Sequence, residues 1–189
     1  MRRRFLALDL ETTGLDPRRD AVVSAAMIPF VDGVPETGYV TLIDPARPIP
    51  AEATAIHGVT DAMVRGAPTV ARLLHDASEI VGDDVLVGHN VGFDIAILAR
   101  ARRVHGLPRL ANSALDTRRL AAGLHPEWRN FSLEHLAARL GIAVVDRHTA
   151  TGDALTAGWI FLALLTELES RRVRTVPELL WLQRRASVD

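Results

Sequence analysis

Apolar positions run unbroken from Phe5 to Leu8, and the stretch closes on two acids one residue apart, Asp9 and Glu11. On a strand, successive side chains face opposite ways, so Phe5, Ala7, Asp9 and Glu11 share one face while Leu6, Leu8 and Leu10 share the other. Ala21 to Phe30 predicts a second strand. Asp32-Gly33 is a two-strand turn signal, and Tyr39 to Ile43 predicts a third strand that completes an antiparallel meander. Gly14 is expected to allow the tight turn after the first strand. Pro45, Pro48 and Pro50 then force an extended connection into the small segment Ala51 to Gly58. Beyond it the period changes to that of a helix, with Val70, Leu73, Leu74 and Ala77 on one face and Thr69 as the expected N-cap.

Val85 to Asn90 reads as a short buried strand and Gly92 to about Arg103 as a helix, the order of a parallel crossover. Ala114 to Thr117 predicts a last short strand, followed by a helix to about Gly123. Ser132 caps a helix with an apolar stripe of Leu133, Leu136, Ala137 and Leu140, and Gly141 stops it. A long helix is expected from about Thr151 to Arg171 and a final one from Val176 to Arg185. The order makes this an α/β fold: a mixed five-stranded sheet, built from a three-strand antiparallel meander plus strand-helix units, with helices on both faces.

With 189 residues and 48% hydrophobic content, the chain can bury one core. A single domain over 1–189 is expected, with its core at about 4–170 and a C-terminal helix at about 175–186. No apolar run approaches the roughly 18 residues of a membrane span, so no membrane partner and a cytoplasmic location are expected. The absence of cysteine excludes thiolate nucleophiles and cysteine-ligated zinc. Any metal must sit on oxygen or imidazole. The net charge of −1 gives no overall positive field, so contact with phosphates has to come from local arginines or from bound metal.

Candidate chemistry begins at Asp9 and Glu11. Two adjacent acids at the end of a buried strand repel and lose hydration unless a cation compensates them, although a lone Asp-x-Glu also fits a strand that simply ends in water. Asp94 and Asp153 each fall in the first turn of a predicted helix, where free N–H groups are expected to hold a carboxylate ionised. Ionised carboxylates suit a hard divalent cation. His148, five residues before Asp153, cannot share its helix face and must belong to the preceding loop, from which an imidazole could act as a base.

Taken in order, DLETTG at 9–14, HGVT at 57–60, GHNVGFD at 88–94 and HTATGD at 148–153 closely resemble the motifs of DEDDh-type 3′-5′ exonucleases. This is the DnaQ-like family, similar to the proofreading epsilon subunit of bacterial DNA polymerase III, and the resemblance spans about Phe5 to Leu168. It implies an RNase H-like fold in which Asp9, Glu11, Asp94 and Asp153 bind two divalent cations, Mg²⁺ or Mn²⁺, and His148 is the general base. It further implies that Thr12, Leu15, His57, Asn90 and Phe93 line a pocket for the terminal nucleotides. One departure stands out: Ser24-Ala25-Ala26 occupies a place where the family often has an acid.

The expected function is a metal-dependent hydrolysis at the 3′ end of single-stranded or frayed DNA, releasing nucleoside 5′-monophosphates. Two metals about 4 Å apart would serve the attacking water and the leaving 3′-oxygen. Leu15 and Phe93 would wedge or stack at the terminal bases with little sequence preference. The alternatives are an exoribonuclease and a polymerase-docking subunit. For docking, Leu179, Leu180 and Trp181 would supply an apolar patch, whereas the short segment after them favours a free-standing enzyme.

Overall fold

The computed structural model describes residues 4–186. Its central strand, β1 (Arg4–Thr12), has the two-faced pattern its alternation predicts. Phe5 and Ala7 join a core on one side, and Leu6, Leu8 and Leu10 join a separate core on the other. The meander is β1, β2 (Val22–Val31), β3 (Val34–Pro35) and β4 (Tyr39–Leu42). β2 pairs antiparallel with β1 along its length, and its other edge is shared by β3 at Phe30 and Val31 and by β4 at Ser24 to Met27. Asp32-Gly33 therefore turns the chain into β3, and the edge strand is broken before β4. Six strands fill five places.

Two short helices, α1 (Ala51–His57) and α2 (Asp61–Val64), follow the proline-rich connection, and then α3 (Val70–Val81). Thr69 stands at the N-cap of α3 without a side-chain hydrogen bond. Its hydroxyl does not cap the helix as the sequence suggested; its backbone carbonyl accepts instead from the N–H groups of Arg72 and Leu73. β5 (Val85–Gly88) runs parallel to β1, and α4 (Gly92–Val104) leads back to β6 (Ala114–Asp116), parallel to β5. The spatial order is β3-β2-β1-β5-β6, with β4 also on β2.

The remaining helices are α5 (Thr117–Leu124), α6 (Leu133–Leu140), α7 (Ala150–Ser170) and α8 (Val176–Arg185). α3 and α4 cover the Leu6-Leu8 face; α5, α6 and α7 cover the Phe5-Ala7 face. There Phe5 stacks on Phe30 with ring centroids 4.9 Å apart and meets Phe161 edge-on at the same distance. Each such side chain removed from water stabilises the fold by about 2 kcal/mol. Ser132 caps α6 by accepting from His135 N–H, and Gly141 ends it at φ 69°, as expected.

α8 closes the sheet. The Gln183 side-chain amide accepts from Asp116 N–H and donates to Ala114 O, both at 2.9 Å, so it takes the place of a further strand along β6. Leu179 is buried and Leu180 packs against the core, so these two leucines are used in packing against the domain and not in an open patch. Trp181 alone of the three is largely exposed, with the Arg185 guanidinium 4.8 Å from its ring centre. Among the described residues, no helix is long and apolar enough to cross a membrane.

Candidate metal centre at the end of the central strand

Pairing between β1 and β5 ends at Ala7 and Val87, after which β1 runs on alone along that edge. The crevice opened at the carboxyl ends of parallel strands is where ligands bind in open α/β sheets. The Leu10 N–H, left without a strand partner on this side, donates to Asp94 Oδ1 at 3.0 Å. Asp94, in the first turn of α4, is thereby tied to the β1 backbone between Asp9 and Glu11, outside the group of acids whose oxygens converge. On the other face α7 brings Asp153 across, and one carboxylate oxygen from each of Asp9, Glu11 and Asp153 lies within 4.8 Å of the other two.

Burial decides the protonation of these acids. Asp9 is raised well above the usual carboxylate range by burial first and then by repulsion from Asp94, Asp153 and Glu11. Burial, with Asp153 adding to it, pushes Glu11 up to about 7. Asp94 is pushed up to about 8, because burial outweighs the two N–H groups that favour its ionised form. The helix N-terminus is therefore not enough to keep Asp94 charged, contrary to the sequence expectation. Asp153 is also raised by burial, which the nearby Arg147 opposes. Crowded acids of this kind hold protons near neutral pH until a cation displaces them.

Asp153 Oδ1 is buried without a hydrogen-bond partner. An orphaned carboxylate oxygen beside two further oxygen donors fits a hard divalent cation. Asp153 Oδ2 is taken by Arg147, whose guanidinium also pairs with Glu134 in the first turn of α6. Neither residue was identified from the sequence. Arg147 lies directly before His148, and that adjacency was the only signal it carried.

His148 sits in the turn before α7 at φ 64°, where it lies close enough to the Asp153 carboxylate to favour its ionised form. Its ring is half-exposed and has no hydrogen bond among the described residues. The turn is held against the helix by Thr149, which accepts from Gly152 N–H at 3.0 Å and donates to Asp146 O at 2.7 Å. A Cβ on Gly152 would stand 2.1 Å from Val145 O, so no other residue fits there without moving the turn.

The residues expected to line a nucleotide pocket have more varied settings. His57 Nδ1 accepts from Val59 N–H at 3.0 Å, which leaves the proton on Nε2, 3.3 Å from Thr12 O. Burial lowers its pKa. His57 is thus a neutral brace under the turn after β1, in which Thr12 Oγ1 donates to Gly14 O at 2.6 Å. Gly14 does not take a positive φ there. What glycine allows here is the close approach of the Asp20 carboxylate, 2.6 Å from where a Cβ would be. Leu15 stands out from this turn at 86% exposure. Phe93 packs partly into the core, and exposed Asn90, at φ 60°, is held through its N–H by buried Asp116. A cavity of about 720 Å³ opens at the opposite end of the sheet beside Phe5 and Val85 and takes no part in this site.

The family model described as an exonuclease, RNase_T, matches residues 6–161. A DNA polymerase III subunit epsilon-like protein of Rhodobacter capsulatus is 40% identical over 176 residues, covering 90% of this chain and 25% of that protein. This chain thus spans about a quarter of that relative's length. The DNA polymerase III subunit epsilon of Aquifex aeolicus is 32% identical over 164 residues, 87% of this chain and 81% of that one. Among solved structures, exonuclease X in complex with 5′ overhanging duplex DNA is similar at a TM-score of 0.70 and 28% identity, covering 95% of this chain and 98% of that one.

Proposed function

The chain belongs to the DnaQ-like 3′-5′ exonuclease family, and from that premise we propose that it removes nucleotides one at a time from the 3′ end of DNA. The observation that carries this reading is the convergence of Asp9, Glu11 and Asp153 within 4.8 Å, with Asp94 fixed beside them by Leu10 N–H. These four acids would hold two divalent cations, Mg²⁺ or Mn²⁺. When bound, such ions polarise the scissile phosphate and neutralise charge on the attacking and leaving oxygens.

The chain's own groups supply the rest. His148, with its free ring at the rim of the acid cluster, takes the proton from the attacking water. The water oxygen bonds to phosphorus, the P–O3′ bond breaks, and the leaving 3′-oxygen takes a proton from solvent, so the shortened strand departs with a 3′-hydroxyl. The other product is a nucleoside 5′-monophosphate. Leu15 packs on the terminal base, and Thr12, His57, Asn90 and Phe93 shape the terminal pocket. A single or frayed strand is the preferred substrate, because an exposed leucine separates stacked bases more readily than paired ones.

The test is a gel of 5′-labelled single-stranded DNA incubated with Mg²⁺ or Mn²⁺, beside a matched RNA. Stepwise shortening is expected, faster on DNA, with monophosphate released. Asp9→Ala should slow it roughly 100-fold or more, beyond what loss of a residue supporting a ligand costs. No shortening in either metal, or shortening indifferent to Asp9→Ala, overturns the reading.

A further inference from the structure

α4 begins at the acid cluster and runs away from it, and one of its faces is open. Gly92, Ala96 and Ala99 form the floor of a groove of about 710 Å³, and Pro17 and Arg18, from the turn that carries Leu15, form its other wall. Ile95, Arg100, Arg103 and Arg109 complete the lining. Four arginines therefore line one groove, and no carboxylate does. Arg18, Arg103 and Arg109 form no ion pair among the described residues. In a chain of net charge −1, this is a local concentration of positive charge, sited where an overall field is lacking.

The loop acids are directed elsewhere. Asp20 accepts from Thr13 Oγ1 at 2.9 Å and from Asp16 N–H at 2.8 Å, and Asp16 accepts from Arg18 N–H at 2.8 Å and faces Arg19. Arg100 fixes the groove's shape by donating to the carbonyls of Arg18 and Asp20, which ties the loop to α4. Those partners are neutral, so its positive charge remains uncompensated. The small floor offers no ring on which a base could stack, and the ligand it suits is a sugar-phosphate backbone.

From Gly92 to Arg103 the helix rises about 16 Å. At roughly 3.4 Å per phosphate along a strand, that is room for about five phosphates. Resting on the nuclease reading for its direction, we propose that this groove is a second nucleic-acid subsite, which holds the phosphates of the strand upstream of the nucleotide being removed.

The double variant Arg103→Glu, Arg109→Glu tests it, since both side chains are exposed and neither belongs to the proposed catalytic set. Binding of fluorescein-labelled dT12 and dT3 is measured by anisotropy in EDTA at several salt concentrations. For dT12 the Kd of the variant should rise at least tenfold, and the salt slope should flatten by about 1.4, at roughly 0.7 per lost contact on a single strand. The Kd for dT3 should change less than twofold, and Arg103→Gln, Arg109→Gln should fall between. Melting temperature measured alongside separates misfolding from lost contact. A dT12 Kd within twofold of the unmodified chain, or an equal loss for dT3 and dT12, overturns the subsite. Cleavage of the same oligonucleotides in Mn²⁺ tests the nuclease reading apart: arginine-dependent binding without cleavage sinks that reading and keeps the subsite, and the converse sinks only the subsite.

Discussion

His148 occupies a left-handed backbone conformation, φ 64°, that a residue with a Cβ adopts at some cost. The conformation is maintained because Thr149 ties the turn to Asp146 O on one side and to Gly152 N–H on the other. The backbone of the turn is thus held while the His148 ring stays free. The two roles separate on mutation. His148→Gln leaves the Thr149 ties of the turn in place and removes the base, so the cleavage rate should fall by about 10² to 10⁴ while the affinity for Mn²⁺, measured by calorimetry, stays within about threefold. A comparable loss of metal binding would place the ring in the ligand set instead.

At the scale of elements, the site is assembled by the ends of three: β1 supplies Asp9 and Glu11, α4 supplies Asp94, and α7 supplies Asp153. The junction of the 145–149 turn with α7 is the tightest of the contacts, because Gly152 lies under Val145 O and Asp146 O. Gly152→Ala must displace those carbonyls and with them Arg147 and His148. Overpacking of this kind costs about 1 to 3 kcal/mol. Urea unfolding should register that loss, and the cleavage rate should fall more than stability alone explains, since the displaced turn carries the proposed base. A variant as active and as stable as the original would mean that the turn is freer than its packing indicates.

For the molecule as a whole, the acid cluster makes stability depend on pH and on metal. Glu11 and Asp94, raised in the folded chain to about 7 and about 8, bind protons there that the unfolded chain has already lost. Their contribution is fully present below about pH 4, the range of an unperturbed carboxylate, and is lost as pH rises through 7 and 8. In EDTA the melting temperature should therefore fall between about pH 5 and pH 8. Added Mn²⁺ should oppose the fall, and at 100 times its Kd should raise stability by about 2.7 kcal/mol, or roughly 5 to 10 °C at this size. A melting curve indifferent to Mn²⁺ at pH 8 would count against a metal centre. The alternation along β1, the helical stripes of α3 and α6, the caps at Ser132 and Gly141 and the spaced acidic motifs were legible in the sequence, because each depends on residues a few positions apart. Arg147 on Asp153 and Glu134, Gln183 standing in for a strand beside β6, the neutral brace at His57 and the raised pKa of Asp94 were not. Each of these depends on what distant segments enclose: whether a carboxyl is left in water or shut among other acids is decided when β1, α4 and α7 come together, since burial and repulsion are properties of the space around a side chain and not of its neighbours along the chain.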